Sequence, residues 1–176
     1  LIFFIQQQYM YEKYGQFIEG KWQKSASGET YDVINPATEE ILGKASKANS
    51  EDIQKALKSA KKGLKIWRDT SPWERAKIIR KISELMRKKS DVLSRWMTLE
   101  VGKPLAEGEG EVGGAADIFE WNSEETKRIY GETNQSRFPN TRIHVYYQPV
   151  GVVAALIPWN FPIILASRKI STALGA

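Results

Sequence analysis

The sequence predicts an α/β fold. Three observations carry that expectation: apolar residues recur at helical spacing between residues 50 and 130, period-two stretches flank that region, and an uncharged run at 150–157 (VGVVAALI) is apolar on both faces. The last is the pattern of a parallel strand covered by helices on both sides. Of the 176 residues, 41% are hydrophobic and 27% charged, which excludes a disordered chain and is enough for one domain with a real core.

Residues 16–19, 22, 30–34 and 41–45 alternate β-like stretches with turn residues at Gly20-Lys21 and Asn35-Pro36, predicting two or three antiparallel strands. Ser50 is expected to cap a helix that keeps Ile53, Ala56, Leu57, Ala60, Leu64 and Trp67 on one face, with Glu51 and Asp52 in its first turn, where the helix dipole favours acids. At 71–74, Ser-Pro-Trp-Glu combines a capping serine, a proline at the first helical position and the glutamate of a capping box. The helix it opens carries Ala76, Ile79, Ile82, Leu85 and Met86 on one face. A third helix is expected over 91–100, stopped by Gly102-Lys103-Pro104. The stretch 105–130 reads as helix up to Gly131, although Gly108, Gly110, Gly113 and Gly114 each cost about 1 kcal/mol relative to alanine, so tertiary packing must hold it. Residues 142–147 form a half-buried strand with Ile143, Val145 and Tyr147 on one side. The apolar run ends at Pro158, and Pro162 opens a last helix over 163–174.

Several function classes fall away on composition. Without cysteine there is no disulfide, cysteine-ligated zinc, iron–sulfur cluster or thiol nucleophile in these residues, and one histidine argues against a histidine-rich metal site, so no metal ligand is expected. The net charge of +5 is local: residues 55–89 hold thirteen lysines and arginines against Asp69, Glu74 and Glu84. On periodic helices this reads as a solvated basic face, and no aromatic RNA-binding signature or zinc finger accompanies it, so no nucleic-acid partner is expected. The longest apolar run falls far short of the roughly 20 residues that cross a bilayer, which predicts no membrane span. Residues 1–9 lack a basic leader and a small-residue cleavage site and read as an upstream extension or cloning scar, with Met10 a more natural start.

Two motifs mislead. Residues 108–113 match G-x-G-x-x-G letter for letter, but no buried strand delivers those glycines to a helix start, and Glu109 and Glu111 would repel phosphate. His144, on a strand and with no cysteine to activate, reads as a surface or interface residue.

The segment 148–169 is where chemistry belongs. Ligands of α/β sheets bind beyond the carboxyl ends of strands, and here a Pro-flanked loop presents the carboxamide of Asn160 at that position, just before a helix. Taken alone, Asn160 also reads as a helix cap. With the loop Pro158-Trp159-Asn160-Phe161-Pro162 intact, the chain resembles the aldehyde dehydrogenase superfamily from about Tyr14 to its last residue. Supporting motifs are FIEGKW at 17–22, NPAT at 35–38, SPWER at 71–75, EVGKP at 100–104 and KRIYG at 127–131.

The resemblance implies the N-terminal part of that fold: an incomplete Rossmann-like domain for NAD or NADP, with oligomerisation strands near 15–45 and 133–148 and no catalytic domain. It implies that Asn160 stabilises the oxyanion, that Ile157, Pro158, Trp159 and Asn160 lie against the cofactor, and that Phe161 and Arg168 meet the substrate. Arg168, with Glu-Glu-x-Lys-Arg-Ile-Tyr-Gly before it, is similar to the succinate-semialdehyde dehydrogenase group, where a planar guanidinium suits a substrate carboxylate; a structural arginine on a helix surface is the alternative. In the family the chain goes on from this point to a lysine, an acidic base and a nucleophilic cysteine. Two readings compete: the leading part of an aldehyde dehydrogenase, inactive by itself and binding no cofactor alone, or a non-catalytic remnant acting as an assembly partner. A cytoplasmic homo-oligomer formed through the strands is expected in either case.

Overall fold

A computed structural model describes residue 11 and residues 13–176; the expectation for residues 1–9 lies outside them. Among the described residues six strands form three separate antiparallel pairs: β1 (Gln16–Ile18) with β2 (Lys21–Gln23), β3 (Thr30–Ile34) with β4 (Ile41–Ser46), and β5 (Glu132–Gln135) with β6 (Arg142–Val145). From residue 50 onward, five α-helices take the expected order: α1 (Ser50–Asp69), α2 (Pro72–Lys88), α3 (Ser90–Val101), α4 (Leu105–Glu125) and α5 (Pro162–Gly175). The chain divides into two compact units, residues 1–66 with 89–111, and residues 67–88 with 112–176.

In the first unit, Glu19 and Gly20 both take positive φ, 54° and 75°, and turn β1 into β2 in a two-residue hairpin. The carboxylate of Asp52 ties the segment after β2 to the start of α1. It accepts hydrogen bonds from Ser25 Oγ at 2.7 Å, the Ala26 N–H at 3.0 Å, the Asn49 N–H at 3.1 Å and Gln16 Nε2 at 3.2 Å. These donors, Ser25 foremost, hold its pKa far below the usual carboxylate range. Asn49 answers by accepting the Asp52 N–H at 3.0 Å, so the cap of α1 is a reciprocal Asn49–Asp52 box. Ser50, the expected cap, is already helical. Asn49 wins over its neighbour because its pairing with Asp52 satisfies two main-chain donors, the Asp52 N–H and its own.

Tyr11 donates to Glu100, meets Trp96 edge-on at 5.3 Å, and packs so closely on Gly43 that a Cβ there would overlap its ring. Burial, and after it the bond to Glu100, raises the Tyr11 hydroxyl above its ordinary value, and burial raises the Glu100 carboxyl. α3 stops at Gly102, whose left-handed φ of 80° lets its N–H reach Thr98 O. α4 then crosses α3 so closely that a Cβ on Gly108 would lie 2.9 Å from Ser94 O. That approach explains one glycine the helix tolerates.

In the second unit, α2 starts as expected, with Ser71 Oγ accepting the Glu74 N–H at 3.3 Å. Its buried side is Ala76, Ile79 and Ser83; Leu85 points outward. Val112, Ala115, Ala116 and Phe119 form the buried stripe of α4, and Arg80 binds Glu120 and Glu124 at 3.1 Å each. α2 also packs on α5 and on a 3₁₀ turn (Thr126–Arg128).

Four further expectations are corrected. The apolar stripe of α1 is not core: Ile53 and Leu57 are 54% and 41% exposed, and Asp52 is the helix's buried residue, because among the described residues no element covers that stripe. α4 ends at Glu125 and tightens into the 3₁₀ turn, with Ile129 at ψ 79°, so the chain leaves the helix before Tyr130 to enter β5. β6 is shorter than 142–147 and exposed on both faces, since a lone hairpin has nothing packed against it. Finally, 150–157 is no strand: it is irregular, with Val150 96% and Leu156 82% exposed. A strand needs a neighbour for its backbone groups, and among the described residues none pairs with it.

Candidate functional site

The loop that precedes α5 carries five of the six expected site residues in one run. Ile157 is half-buried, and Pro158 leads into a turn at Trp159 and Asn160. Phe161, at φ −140° and ψ 66°, is the N-cap residue, and Pro162 takes the first helical position, where its missing N–H costs nothing. Asn160 therefore sits one residue before the cap. Trp159, Asn160 and Phe161 are all exposed. Arg168 stands apart, on the exposed side of α5 about 9 Å along the axis from Pro162. Its guanidinium makes no ion pair among the described residues, and its backbone carbonyl accepts Thr172 Oγ1 at 2.6 Å.

The position of this loop is set by how α5 is held. Trp67 Nε1 donates to Leu174 O at 2.8 Å and Arg75 Nη1 to Ala176 O at 3.3 Å, so carbonyls at the helix end meet donors, one of them cationic. Arg75 is buried, and desolvation lowers its pKa. Midway, Asn122 Nδ2 donates to Ser171 Oγ at 2.9 Å. Sequence reasoning passed over Asn122; the available signal was a carboxamide inside the otherwise apolar spacing of α4.

The groups of both misleading motifs are engaged within the fold. Residues 108–113 lie inside α4, where main-chain N–H groups serve the helix, and Glu111 is buried against Lys103. His144 is exposed and shares a hydrogen bond of 3.1 Å with Thr133 across the β5–β6 hairpin. Among the described residues no cluster of histidine, aspartate or glutamate could hold a metal ion, and no helix is long and apolar enough to cross a membrane.

What the loop can offer chemically is limited and specific: the Asn160 carboxamide one residue before the helix cap, and main-chain groups and apolar side chains at Ile157 to Trp159. A carboxamide donates and accepts hydrogen bonds and does not titrate, so proton transfer is not among the loop's chemistries.

Residues 22–176 match the model of the aldehyde dehydrogenase family. Over 160 residues the chain is 44% identical to a glutarate-semialdehyde dehydrogenase of Pseudomonas aeruginosa, covering 91% of this chain and 33% of that protein. Over 159 residues it is 44% identical to an NADP(+) succinate-semialdehyde dehydrogenase of Escherichia coli, covering 90% and 33%. The crystal structure of a succinate-semialdehyde dehydrogenase from Burkholderia pseudomallei superposes with a TM-score of 0.90 at 40% identity, over 93% of this chain and 34% of that one. The chain thus spans about a third of the length of the curated relatives it matches, and the part matched is N-terminal. With the family model matched over residues 22–176 and 44% identity to two of its members, the chain belongs to the aldehyde dehydrogenase family.

Proposed function

We propose that this chain is the leading portion of a cytoplasmic, NAD- or NADP-dependent semialdehyde dehydrogenase, in which the Asn160 carboxamide donates to the oxygen of the substrate aldehyde. The intact loop Pro158-Trp159-Asn160-Phe161-Pro162 at the head of α5, in a chain 44% identical to two semialdehyde dehydrogenases, carries the reading. Attack of a thiolate on an aldehyde carbon puts negative charge on the oxygen. A preorganised N–H donor aimed at that oxygen is worth roughly 3–4 kcal/mol of barrier. Ile157, Pro158 and Trp159 would line one edge of the nicotinamide cofactor, which when bound accepts the hydride. Arg168, exposed and without an ion pair among the described residues, would hold the substrate's remote carboxylate in a bidentate grip, with Phe161 beside the aldehyde.

The thiolate does not come from these 176 residues, which contain no cysteine. The chain alone is therefore expected to reduce neither NAD nor NADP with succinate or glutarate semialdehyde, followed by absorbance; measurable turnover would overturn this. Joined to the remaining two-thirds of the Escherichia coli relative, it should turn over. In that hybrid Asn160→Ala should lower kcat about 10²–10³-fold, and Arg168→Met should raise KM for the semialdehyde more than for an uncharged aldehyde. A second reading, a non-catalytic assembly partner, is favoured by the exposed apolar run at 150–157. It predicts that the hybrid stays inactive.

A further inference from the structure

α4 and α5 run side by side in a single register. A Cβ on Gly114 would stand 3.1 Å from Ile164 Cδ1, Asn122 bonds Ser171 at 2.9 Å, and a Cβ on Gly175 would lie 2.7 Å from Thr126 Oγ1. The paired positions are 49 or 50 residues apart at each level. A slip of one turn, about 5.4 Å, would break all three contacts together. Ser167 and Ser171 on the buried side of α5 are 2% and 0% exposed, so the seam is small and polar. Apolar packing alone would tolerate a slip between such smooth surfaces, whereas a carboxamide that must find one hydroxyl does not.

The Asn122 bond also leads toward the candidate site. Asn122 Nδ2 is anchored to its own helix through Ile118 O at 3.0 Å. Ser171 Oγ, which it binds, donates to Ser167 O at 2.6 Å, and Ser167 Oγ donates to Ile163 O at 2.8 Å. This ladder climbs α5 to its first turn, where the Leu165 N–H closes the first helical bond on Phe161 O at 3.0 Å. Asn160 immediately precedes that bond.

We propose that Asn122 is a positioning residue for Asn160: by holding Ser171 it fixes the axial register of α5, and with it the height at which the Asn160 carboxamide stands. The inference rests on the oxyanion role proposed above for its importance, but its test needs neither substrate nor cofactor.

Amide hydrogen exchange and NMR of the 176-residue chain read it directly. Asn122→Ala should speed exchange of the Leu165 amide about tenfold or more, by raising local opening, and should shift the side-chain amide signals of Asn160. Ser171→Ala, which removes the acceptor, should do the same and serves as the reading if Asn122→Ala does not fold. Arg87→Ala removes the pairs with Asp117 at 2.8 Å and Glu120 at 2.5 Å between α2 and α4, neither of which involves α5, and should leave Leu165 and Asn160 unchanged. Folded Asn122→Ala or Ser171→Ala chains with parental Leu165 protection and Asn160 shifts would overturn the proposal, as would equal loss in Arg87→Ala. Failure of the oxyanion reading would show elsewhere, as an Asn160→Ala hybrid with undiminished kcat.

Discussion

Lys103 and Glu111 show how far a residue's role can depart from the one its sequence neighbourhood suggests. Glu111 lies within the G-x-G-x-x-G match and reads there as a charge hostile to phosphate; in the fold its side chain is 1% exposed and pairs with Lys103, itself 7% exposed. Neither periodicity nor spacing points to this bond, because it joins the link after α3 to a turn within α4. Burying two charges gains little net stability, but removing one of them takes a countercharge from a side chain that stays buried. Lys103→Met is therefore expected to destabilise the chain by about 3–5 kcal/mol, whereas Lys103→Met with Glu111→Leu should recover most of that loss. Urea denaturation of the two variants decides it: a single variant no worse than the double would mean that the pair is not coupled. Asn160 and Arg168 differ from this pair in kind, since motif and residue chemistry marked them in advance and the fold leaves both exposed.

Elements were legible to the degree that their signals are local. α2 begins at its Ser-Pro-Trp-Glu start because cap, proline and first turn lie within four residues, and β1–β4 keep to their turns for the same reason. The cap of α1 moved by one residue because Asp52 is shared with Ser25 and Ala26, which no local rule includes. The run 150–157 failed as a strand because strand formation depends on a neighbour, and hydrophobicity on both faces reports where a segment would be buried, not whether its partner is at hand. Gly102 is a local signal that tertiary structure reinforces. Its φ of 80° ends α3, and a Cβ there would come within 2.8 Å of Pro36 Cγ. Gly102→Ala should therefore cost about 1–3 kcal/mol, from strain at a left-handed position and displacement of the proline ring. Thermal unfolding followed by circular dichroism tests it, and an unchanged midpoint would show that the α3–α4 link relaxes freely.

At the scale of the whole molecule, the exposed apolar surface decides how the chain meets other copies of itself. Val150, Val153 and Leu156 are 96%, 57% and 82% exposed in an uncharged run bounded by Pro149 and Pro158. Ile53 and Leu57 add a half-exposed stripe on α1, and the β5–β6 hairpin is exposed throughout. Unpaired backbone next to apolar side chains favours strand addition between chains, and β-branched, charge-free segments favour it most. Charge does not prevent it, since the lysines and arginines that produce the net +5 are concentrated at 55–89 and none falls within this run. The purified chain should accordingly form larger species with rising concentration in sedimentation velocity. Val153→Lys with Leu156→Lys should return it toward monomer at about 100 μM, by placing charge on both faces of the run. Lys58→Glu, on α1, should not. A parent chain that stays monomeric at that concentration would show that residues 150–157 satisfy themselves without a partner, and association that survives both lysines would move the contact to the hairpins.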